Sequence, residues 1–333
     1  MMTNKSTAPI TVLGAGSWGC ALALVLADNG IPVHLWGHSK TEMQQLKQTR
    51  RNKYLPDCVL PDLIHVCVDI HEALDQSSAI LIVVPSHAFI EIIQKIIACD
   101  ATHLPIAWGT KGLTENCELL SDAAKKLLGD KAKLCVLSGP SFAIEVAQKQ
   151  PTAITAASED DSAYFWQTQL HTDYFRVYTS ADMIGAQLGG ACKNVLAIAV
   201  GIADGLGFGA NTRAALMTRG FAEILRLGKA MGAQQATLMG LSGIGDLILT
   251  CNENQSRNRR FGLALGQGQN ISQIQKNIGQ VVEGEKTTQL VYQLAQKLEI
   301  SMPITEEVYN ILYKHQNAKQ AVKSLLERAP TEE

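Results

Sequence analysis

The stretch Ile10-Thr11-Val12-Leu13-Gly14-Ala15-Gly16-Ser17-Trp18-Gly19 decides the fold of the N-terminal half, together with the apolar helical pattern that follows it. An apolar run that leads into Gly-x-Gly-x-x-Gly and then a helix is the context of a dinucleotide site. Gly14 permits the tight turn, Gly16 lets the backbone approach a pyrophosphate, and Gly19 lets the helix pack on the strand. The N–H groups of Ser17, Trp18 and the following residues then face the phosphates. The alternative is a glycine-rich turn that binds no ligand.

The end of the second predicted strand, Val33–Trp36, indicates which dinucleotide is used. Sites specific for NAD usually carry Asp or Glu there, bonded to the ribose 2′-hydroxyl. Here the chain continues Gly37-His38-Ser39-Lys40, and the first carboxylate is Glu42. His38 and its two neighbours could receive a 2′-phosphate, or they could be ordinary solvated loop residues. The pattern favours NADP(H), or the use of both NADP(H) and NAD(H).

Length and composition restrict the class of protein. A chain of 333 residues suggests two domains. A net charge of −2 gives no overall signal for nucleic-acid binding. The eight cysteines form no C-x-x-C pair, so we expect reduced thiols in the cytoplasm and no metal site. Met1–Pro9 lacks the apolar segment of a signal peptide. The longest apolar stretch, Val195–Ala203, is shorter than the roughly 20 residues that span a bilayer, so we expect no integral membrane contact.

Strand and helix patterns alternate up to about residue 180, and only helical patterns follow. This order predicts an α/β fold: a Rossmann-like, doubly wound and mostly parallel sheet, then an all-helical domain. We expect a dinucleotide-binding domain over residues 1–180 and a helical substrate-binding domain over 181–333, with substrate between them and a frayed end at 328–333. The predicted strands are Ile10–Leu13, Val33–Trp36, His65–Val68, Ala79–Val84, Pro105–Trp108, Leu134–Leu137, Thr152–Ala156 and Phe175–Tyr178. The predicted helices are Trp18–Asn29, Lys40–Arg50, His87–Ala98, Cys117–Leu128, Met183–Ala203, Asn211–Met231, Gly284–Leu298 and Ile304–Tyr313.

Three predicted strand ends in the first half carry polar groups that could serve chemistry. His87 follows the strand at Ala79–Val84, where it is a candidate acid or a structural residue at a helix start. Lys111 stands between glycines after the next strand and could reach a phosphate or a carbonyl, or be a surface lysine in a turn. Gly139 and Ser141 precede a predicted helix, whose N–H groups and hydroxyl suit an anion or simply cap the helix.

Lys193 lies inside an otherwise small and apolar helical pattern. Burying an ammonium is costly and lowers its pKa. A lysine in this setting could protonate an alkoxide as a carbonyl is reduced. The alternative is a structural lysine whose ammonium reaches solvent. Gly189 and Gly190, one turn earlier, would allow a cofactor or the other domain to approach closely.

Two segments after residue 240 complete a candidate site. Asp246 follows glycines and could orient Lys193, bind a hydroxyl, or cap a helix. Asn254-Gln255-Ser256-Arg257-Asn258-Arg259-Arg260 packs three arginines into seven residues. If this segment starts a helix, its guanidinium and N–H groups make a phosphate site; otherwise it is a solvated basic turn. One short basic cluster in a slightly acidic chain favours a small anion over nucleic acid.

Taken in this order, these segments resemble the NAD(P)-dependent glycerol-3-phosphate dehydrogenase family of bacterial type. The resemblance covers residues 10–325. The motifs that carry it are Gly14-Ala15-Gly16-Ser17-Trp18-Gly19, Val84-Pro85-Ser86-His87, Thr110-Lys111-Gly112-Leu113, Ser138-Gly139-Pro140-Ser141-Phe142-Ala143, Gln187-Leu188-Gly189-Gly190-Ala191-Cys192-Lys193-Asn194, Gly207-Phe208-Gly209-Ala210-Asn211, Asn254 to Gly262, and Val282-Glu283-Gly284. The family interconverts dihydroxyacetone phosphate and sn-glycerol 3-phosphate by hydride transfer with NAD(P)H, for phospholipid synthesis.

The resemblance also implies roles for individual residues. Lys193 matches the proton donor. His38 and Ser39 stand where members often have a basic residue, and Cys192 where a small residue is common. The residues that match substrate contacts are Lys111, Gly139, Ser141, Lys193, Asp246, Ser256, Arg257 and Asn258. Those that match cofactor contacts are Ser17, Trp18, His38, Lys111, Ala143, Arg257, Val281 and Glu283, beside the glycines Gly14, Gly16 and Gly19.

Other functions remain open from the sequence. One is a regulator that binds NAD(P)H without turnover, which would not need Lys193 in an apolar helix. Another is a different two-domain hydroxyacid dehydrogenase. The related UDP-sugar dehydrogenases are disfavoured by the arginine cluster and by the lack of a catalytic-cysteine motif. The sequence does not determine the oligomeric state, for which a homodimer is one alternative.

Overall fold

The structure, a computed structural model, describes residues 7–327. The chain end at 328–333, where the sequence predicts fraying, lies outside these residues. The chain divides into two compact units. The first runs through Lys111 and resumes with Leu119–Ala186, and the second consists of Gly112–Glu118 and the chain from Gln187 onward. A short segment of the N-terminal half therefore belongs to the second unit.

The first unit is built on an eight-stranded sheet in the order β10-β9-β8-β7-β6-β1-β2-β5. All neighbouring pairs in it are parallel except β8 and β9. A separate antiparallel pair, β3 and β4, lies outside this sheet. The strands are β1 Ile10–Leu13, β2 Val33–Trp36, β3 Arg51–Asn52, β4 Leu55–Val59, β5 Ile64–Cys67, β6 Ala79–Ile82, β7 Ile106–Trp108, β8 Leu134–Ser138, β9 Thr152–Ala157 and β10 Phe175–Ser180.

Helices cover both faces of this sheet. Ile10 and Val12 of β1 belong to one buried cluster, and Leu13 belongs to the other, because successive strand side chains point to opposite faces. The chain leaves β1 for β2 on one side and returns to β6 on the other, so the sheet has its topological switch point beside β1. The helices of this unit are α1 Ser17–Asp28, α2 Lys40–Thr49, α3 Ile70–Leu74, α4 Phe89–Ala98, α5 Leu120–Leu128, α6 Ala143–Ala147 and α7 Ser162–Leu170.

The predicted fold class is confirmed, but the sequence missed one hairpin and misplaced one helix start in the N-terminal half. The β3–β4 hairpin was missed because Pro56 and exposed polar residues break the alternation expected of a strand. The helix predicted to start at Cys117 begins only at Leu120. Cys117 has a left-handed φ of 60°, and Thr114 pairs with Glu118 in a turn, so these residues do not continue a helix.

From residue 187 to 327 the second unit has helices and no strand. Its longest helix, α8, begins at Met183 in the first unit and forms the centre of the second. A 3₁₀ turn precedes α4, and a π-helical turn, Leu241–Gly245, precedes α11. The helices are α8 Met183–Gly205, α9 Ala210–Met231, α10 Gln235–Leu238, α11 Asp246–Asn252, α12 Arg257–Gly266, α13 Ile271–Ile278, α14 Glu283–Lys297, α15 Pro303–Tyr313 and α16 Ala318–Leu326.

Glycines let α8 and α12 cross at close range. A Cβ atom on Gly201 would overlap the carbonyl oxygen of Arg259, and one on Gly262 would overlap that of Ile198. Gly205 and Gly266 repeat this arrangement one turn further along each helix. The crossing places the start of α12 beside the C-terminal half of α8.

α8 is long and apolar enough to cross a membrane by length and composition. However, 94% of its most apolar window is buried inside the protein, which is the position of a core helix. The helix predicted over Met183–Ala203 matches α8 to within two residues; its longest uninterrupted apolar stretch, Val195–Ala203, is shorter because Lys193 and Asn194 precede it.

Candidate active site

The glycine-rich turn after β1 has the geometry of a phosphate cradle. Gly14 has φ +126°, and a Cβ atom there would overlap the Val83 carbonyl oxygen. A Cβ on Gly19 would overlap the carbonyl oxygen of Gly14, so only glycine lets α1 pack this closely. At Gly16, the N-cap of α1, a Cβ would meet nothing within 4 Å. That open space above a helix N-terminus suits a pyrophosphate.

Asn52, in the hairpin that sequence reasoning missed, supports this turn. Its side chain is buried and donates to the Ala15 carbonyl oxygen over 2.8 Å and to the Cys20 sulfur over 3.1 Å. Its Oδ1 accepts the N–H of Tyr54, which fixes the orientation of the amide. Asn52 therefore ties the hairpin to the middle of the Gly-x-Gly-x-x-Gly segment.

The predicted cofactor residues near the first two strand ends lie in different settings. Ser17 and Trp18 form the first turn of α1, and the Trp18 indole packs where a Cβ on Gly109 would come within 2.8 Å of its Nε1. His38 is exposed at the end of β2. Ser39 serves a structural purpose, since its hydroxyl accepts the Glu42 N–H and caps α2.

The remaining predicted residues of the first unit lie at other strand ends. Lys111 is half-buried just after β7. Gly139 follows β8 with φ +147°, and a Cβ there would lie 2.9 Å from the Ile154 Cα. The Ser141 hydroxyl donates to the Gly139 carbonyl oxygen over 3.1 Å, and Ala143 is the first residue of α6. His87 lies in the 3₁₀ turn before α4.

Lys193 is buried in the second unit beside a carboxylate. Its side chain leaves the middle of α8, and the residue is only 7% exposed. The ammonium donates to Asp246 Oδ1 and, over 2.9 Å, to the Thr250 hydroxyl. That hydroxyl donates onward to the Asp246 carbonyl oxygen over 2.6 Å. A buried charge is tolerated when it is paired and hydrogen-bonded in this way.

The π-helical turn Leu241–Gly245 aims Asp246 at Lys193. It delivers the chain into α11, in which Asp246 is the first residue and Thr250 lies one turn later on the same side. A Cβ on Gly189 would overlap the Ser242 carbonyl oxygen. The expectation that Gly189 leaves space for a cofactor or the other domain was therefore wrong, because the close approach is made by this turn.

The arginine-rich segment does start a helix, α12, as the phosphate-site interpretation requires. Ser256 is its N-cap and accepts the Arg259 N–H over 3.2 Å. Arg257, half-buried, donates to the Val281 carbonyl oxygen over 2.8 Å. Asn258 is buried, and its Oδ1 accepts the N–H of Gly284 over 2.9 Å.

Arg259 has a structural role. It is buried, pairs with Asp204 at 2.5 Å and donates to the Cys251 carbonyl oxygen over 2.9 Å. Arg260 is exposed. Of the three arginines, Arg257 is thus the one that is half-buried at the start of α12.

Val281 and Glu283 flank the start of α14. Val281 is 50% exposed, and Glu283 is the first residue of the helix. The bond from the Gly284 N–H to Asn258 fixes this helix start against α12. A Cβ on Gly284 would lie 3.0 Å from the Asn194 carbonyl oxygen, so the start of α14 also packs closely on α8.

Both halves of the chain match known proteins in sequence. Residues 9–164 match the model of the NAD-dependent glycerol-3-phosphate dehydrogenase N-terminus, and residues 182–323 match that of its C-terminus. The chain belongs to this family.

The similarity to individual members of the family extends over almost the full chain. The glycerol-3-phosphate dehydrogenase, NAD(P)+, of Pasteurella multocida is 52% identical over 332 residues, 98% of each chain. That of Colwellia psychrerythraea is 52% identical over 325 residues, 96% of this chain and 97% of the relative. The crystal structure of glycerol-3-phosphate dehydrogenase from Coxiella burnetii superposes with a TM-score of 0.94 at 47% identity, over 97% of this chain and 99% of the other.

Buried cysteines near Lys193 in this dehydrogenase are poor nucleophiles. Burial raises the pKa of the Cys192 thiol to about 12. Burial likewise raises the pKa of Cys251 to about 12, although the charges of Lys193 and Arg259 act in the opposite direction. The thiolate is the reactive form of cysteine, and at neutral pH these two groups hold almost none of it.

Sequence reasoning found Lys193 and Asp246 but missed Thr250. The available signal was its spacing, since a threonine four residues after Asp246 lies on the same side of a helix. Asn52 had no comparable signal, because it lies in a short hairpin that the strand pattern does not reveal.

Proposed function

We propose that this chain catalyses the NAD(P)-dependent interconversion of dihydroxyacetone phosphate and sn-glycerol 3-phosphate. The observation that carries the proposal is the buried contact of Lys193 with Asp246 and Thr250 in a member of this family. A protein that only sensed NAD(P)H would not need a desolvated ion pair in an apolar helix. The product would supply glycerol 3-phosphate for phospholipid synthesis.

The glycine turn supports binding of the dinucleotide by the first unit. Gly14, Gly16 and Gly19 shape a space that a side chain at Gly16 would fill. When bound, the reduced nicotinamide supplies a hydride for the C2 carbonyl of the substrate. Both NADP(H) and NAD(H) fit, because no carboxylate lies at the end of β2 to repel a 2′-phosphate. The cofactor contacts that we propose beside the glycines are Ser17, Trp18, His38, Lys111, Ala143, Arg257, Val281 and Glu283.

Lys193 is proposed to donate the proton to the carbonyl oxygen during reduction and to accept it in the reverse direction. Asp246 and Thr250 hold the ammonium in place, so little reorganisation is needed when charge develops on the substrate oxygen. A positioned acid accelerates such a step by about 10²–10⁴-fold.

The phosphate of the substrate is assigned to the start of α12. Arg257 offers a guanidinium that can bond two phosphate oxygens, and the helix N-terminus adds N–H donors. Ser256 and Asn258 are neutral polar groups there, although each already accepts a backbone N–H. Lys111, Gly139 and Ser141 complete the proposed substrate contacts.

We also propose the division of roles at residue 180 and a cytoplasmic homodimer. The region up to residue 180 would bind the dinucleotide, and the helical region from 181 would bind the substrate. All eight cysteines lie in the described residues and none forms a disulfide, which suits a reducing compartment. Two-fold dimers are the commonest symmetric assemblies. Light scattering after size-exclusion chromatography tests the dimer, for which we expect twice the chain mass.

The function is tested by oxidation of NADPH that depends on dihydroxyacetone phosphate. We expect turnover by the unmodified chain and a loss of about 10²-fold or more in Lys193→Met, with NADPH binding retained. Lys229→Met, at an exposed lysine of α9, is the matched control and should keep full activity. Binding of NADPH without turnover would favour the regulator instead. Turnover of 2-oxo acids in place of the phosphorylated ketone would favour another hydroxyacid dehydrogenase.

A further inference from the structure

Three side chains that commonly bind metals meet at the edge of the sheet in the first unit. His65 and Cys67 lie on β5, the edge strand, and Glu72 lies on α3. Their ligand atoms all lie within 4.8 Å of one another. None of the three has a place in the proposed reaction.

The backbone aims these groups at one point. His65 and Cys67 are two residues apart on a strand, so their side chains lie on the same face of the sheet. α3 follows β5 after a short turn and brings Glu72 over that face. The Nε2 of His65 and Oε1 of Glu72 are already 3.0 Å apart. We propose that His65, Cys67 and Glu72 form a binding site for Zn²⁺, with water as the fourth ligand.

The donor set is one that zinc accepts. Zn²⁺ binds imidazole nitrogen, thiolate sulfur and carboxylate oxygen at about 2.0–2.3 Å in tetrahedral geometry. Ligand atoms in such a site are roughly 3.3–3.8 Å apart, so side-chain movements of about 1 Å would close this group around an ion. Binding replaces the hydrogen bond between His65 and Glu72, with the imidazole proton carried on Nδ1. The Cys67 thiol loses its proton to solvent, and the hydrated ion releases all but one of its waters as the three protein ligands bind.

His34 lies next to the site but is already engaged. It pairs with His65 across β2 and β5, and the two ring centroids are 5.8 Å apart. Its Nδ1 bonds the Ala73 carbonyl oxygen over 2.9 Å. His34 is not among the three residues whose ligand atoms converge, which is why water is assigned to the fourth position.

The sequence predicted no metal site because the cysteines form no C-x-x-C pair, which is the spacing typical of zinc fingers. His-x-Cys followed by Glu five residues later is not such a spacing, and only the turn between β5 and α3 brings the third ligand close. A bound ion would cross-link the edge strand to α3. It would therefore stabilise the first unit by linkage, in proportion to the logarithm of ion concentration above Kd.

Cobalt substitution tests the site directly, since Co²⁺ bound tetrahedrally with a thiolate gives visible ligand-field bands and a sulfur-to-metal charge-transfer band. We expect one Co²⁺ per chain with both features, and their loss on addition of Zn²⁺. Cys67→Ser should abolish the charge-transfer band, and Glu72→Gln should weaken Co²⁺ binding at least tenfold. Cys58→Ser, at a partly exposed cysteine outside the site, is the matched control and should leave the spectrum unchanged.

The absence of a charge-transfer band in the unmodified protein would overturn the proposal. So would a band that survives Cys67→Ser or disappears in Cys58→Ser. Glu72 has an exposed side chain, so its variant keeps the test valid if Cys67→Ser does not fold. For that variant, unchanged Co²⁺ affinity would exclude the three-residue site.

Discussion

Arg257 is the residue on which substrate selectivity is expected to depend. Dihydroxyacetone and its phosphate share the same carbonyl, so only a contact to the phosphate can separate them. Binding energy from such a remote group also helps to position the reacting one. We predict that Arg257→Ala lowers kcat/KM for dihydroxyacetone phosphate by an amount worth about 2–5 kcal/mol, with little change for dihydroxyacetone.

Steady-state kinetics on both substrates measures this effect. Arg260→Ala removes an exposed guanidinium three residues away and should leave both rates close to those of the unmodified enzyme. Equal losses on the two substrates in Arg257→Ala would assign Arg257 to the cofactor or the fold.

Glu223 makes the stability of the second unit depend on pH. Its carboxylate, only 1% exposed, accepts the N–H of Ile304 over 2.6 Å and that of Thr305 over 3.1 Å, at the start of α15. Burial raises its pKa above the usual 4.5, against the opposing effect of these hydrogen bonds. The folded protein therefore keeps a proton that the unfolded chain has already lost, and the contribution of Glu223 to stability decreases as pH rises through this window.

Glu223→Gln cannot ionise and retains an oxygen to accept an N–H. Thermal unfolding across pH 4.5 and above should show the Tm advantage of the unmodified protein over this variant shrinking as pH increases. A Tm difference that is constant with pH would contradict the assignment. Glu223→Ala should be worse at every pH, by about 1–3 kcal/mol for each buried N–H left without a partner.

For single residues, the sequence predicted which side chains would be polar and buried more easily than it predicted the partners that they contact. A lysine among glycines and aliphatic residues predicts a buried charge. In the structure this lysine, Lys193, pairs with Asp246. Ser256 matched a ligand contact in the family, yet its hydroxyl caps α12. Arg259 belonged to the presumed phosphate cluster, yet it is paired with Asp204. The role of such a side chain depends on partners that are distant along the chain, and local sequence spacing does not reveal those partners.

The crossing of α8 and α12 is the element-level feature with the sharpest steric requirement. A Cβ on Gly262 would meet the backbone of α8 at Ile198, which cannot rotate away. We predict that Gly262→Ala destabilises the second unit by about 1–3 kcal/mol or more, lowering Tm by roughly 2–4 °C per kcal/mol. Because α12 carries Arg257, KM for the phosphorylated substrate should rise as well.

Gly209→Ala is the matched control for this substitution. Gly209 precedes α9 with φ −92°, and a Cβ there would meet nothing within 4 Å. Calorimetry and kinetics should find it within about 1 kcal/mol of the unmodified protein. A Gly262→Ala protein as stable as this control would show that the helices separate without cost.

Elements with strong periodicity were predicted closely, and short ones were not. β1 and β2 were predicted at the positions where they occur, because apolar β-branched runs are bounded there by glycine and proline. The hairpin of β3 and β4 was missed, although it carries Asn52. Its strands are short, polar and interrupted by proline. Their conformation therefore depends on the pairing of β3 with β4 and on the hydrogen bond from Asn52 to Ala15, which a local pattern does not show.

At the scale of the whole molecule, the segment Gly112–Glu118 belongs to the second unit, whereas the residues on either side of it belong to the first. Leu113 is 1% exposed and belongs to the second unit, and Leu119 is 2% exposed and belongs to the first. We predict that Leu113→Ala costs about 2–5 kcal/mol and accelerates hydrogen exchange in the helices after residue 187.

Leu119→Ala is both the control and the complement. The same loss of side-chain volume, six positions later, should accelerate exchange in the sheet and leave the later helices protected. Mass-spectrometric mapping of amide exchange in the two variants distinguishes the outcomes. If both variants loosened the same elements, the two units would not unfold independently.

The segment Gly112–Glu118 also governs how this gene can recombine with that of a relative. The chain passes from one unit to the other after Lys111, after Glu118 and after Ala186. A single crossover at residue 186 would therefore yield a chimera in which seven residues of one parent complete the helical unit of the other. Intact exchange of either unit needs three junctions, so we expect a chimera joined only at residue 186 to be less stable than one that also exchanges residues 112–118.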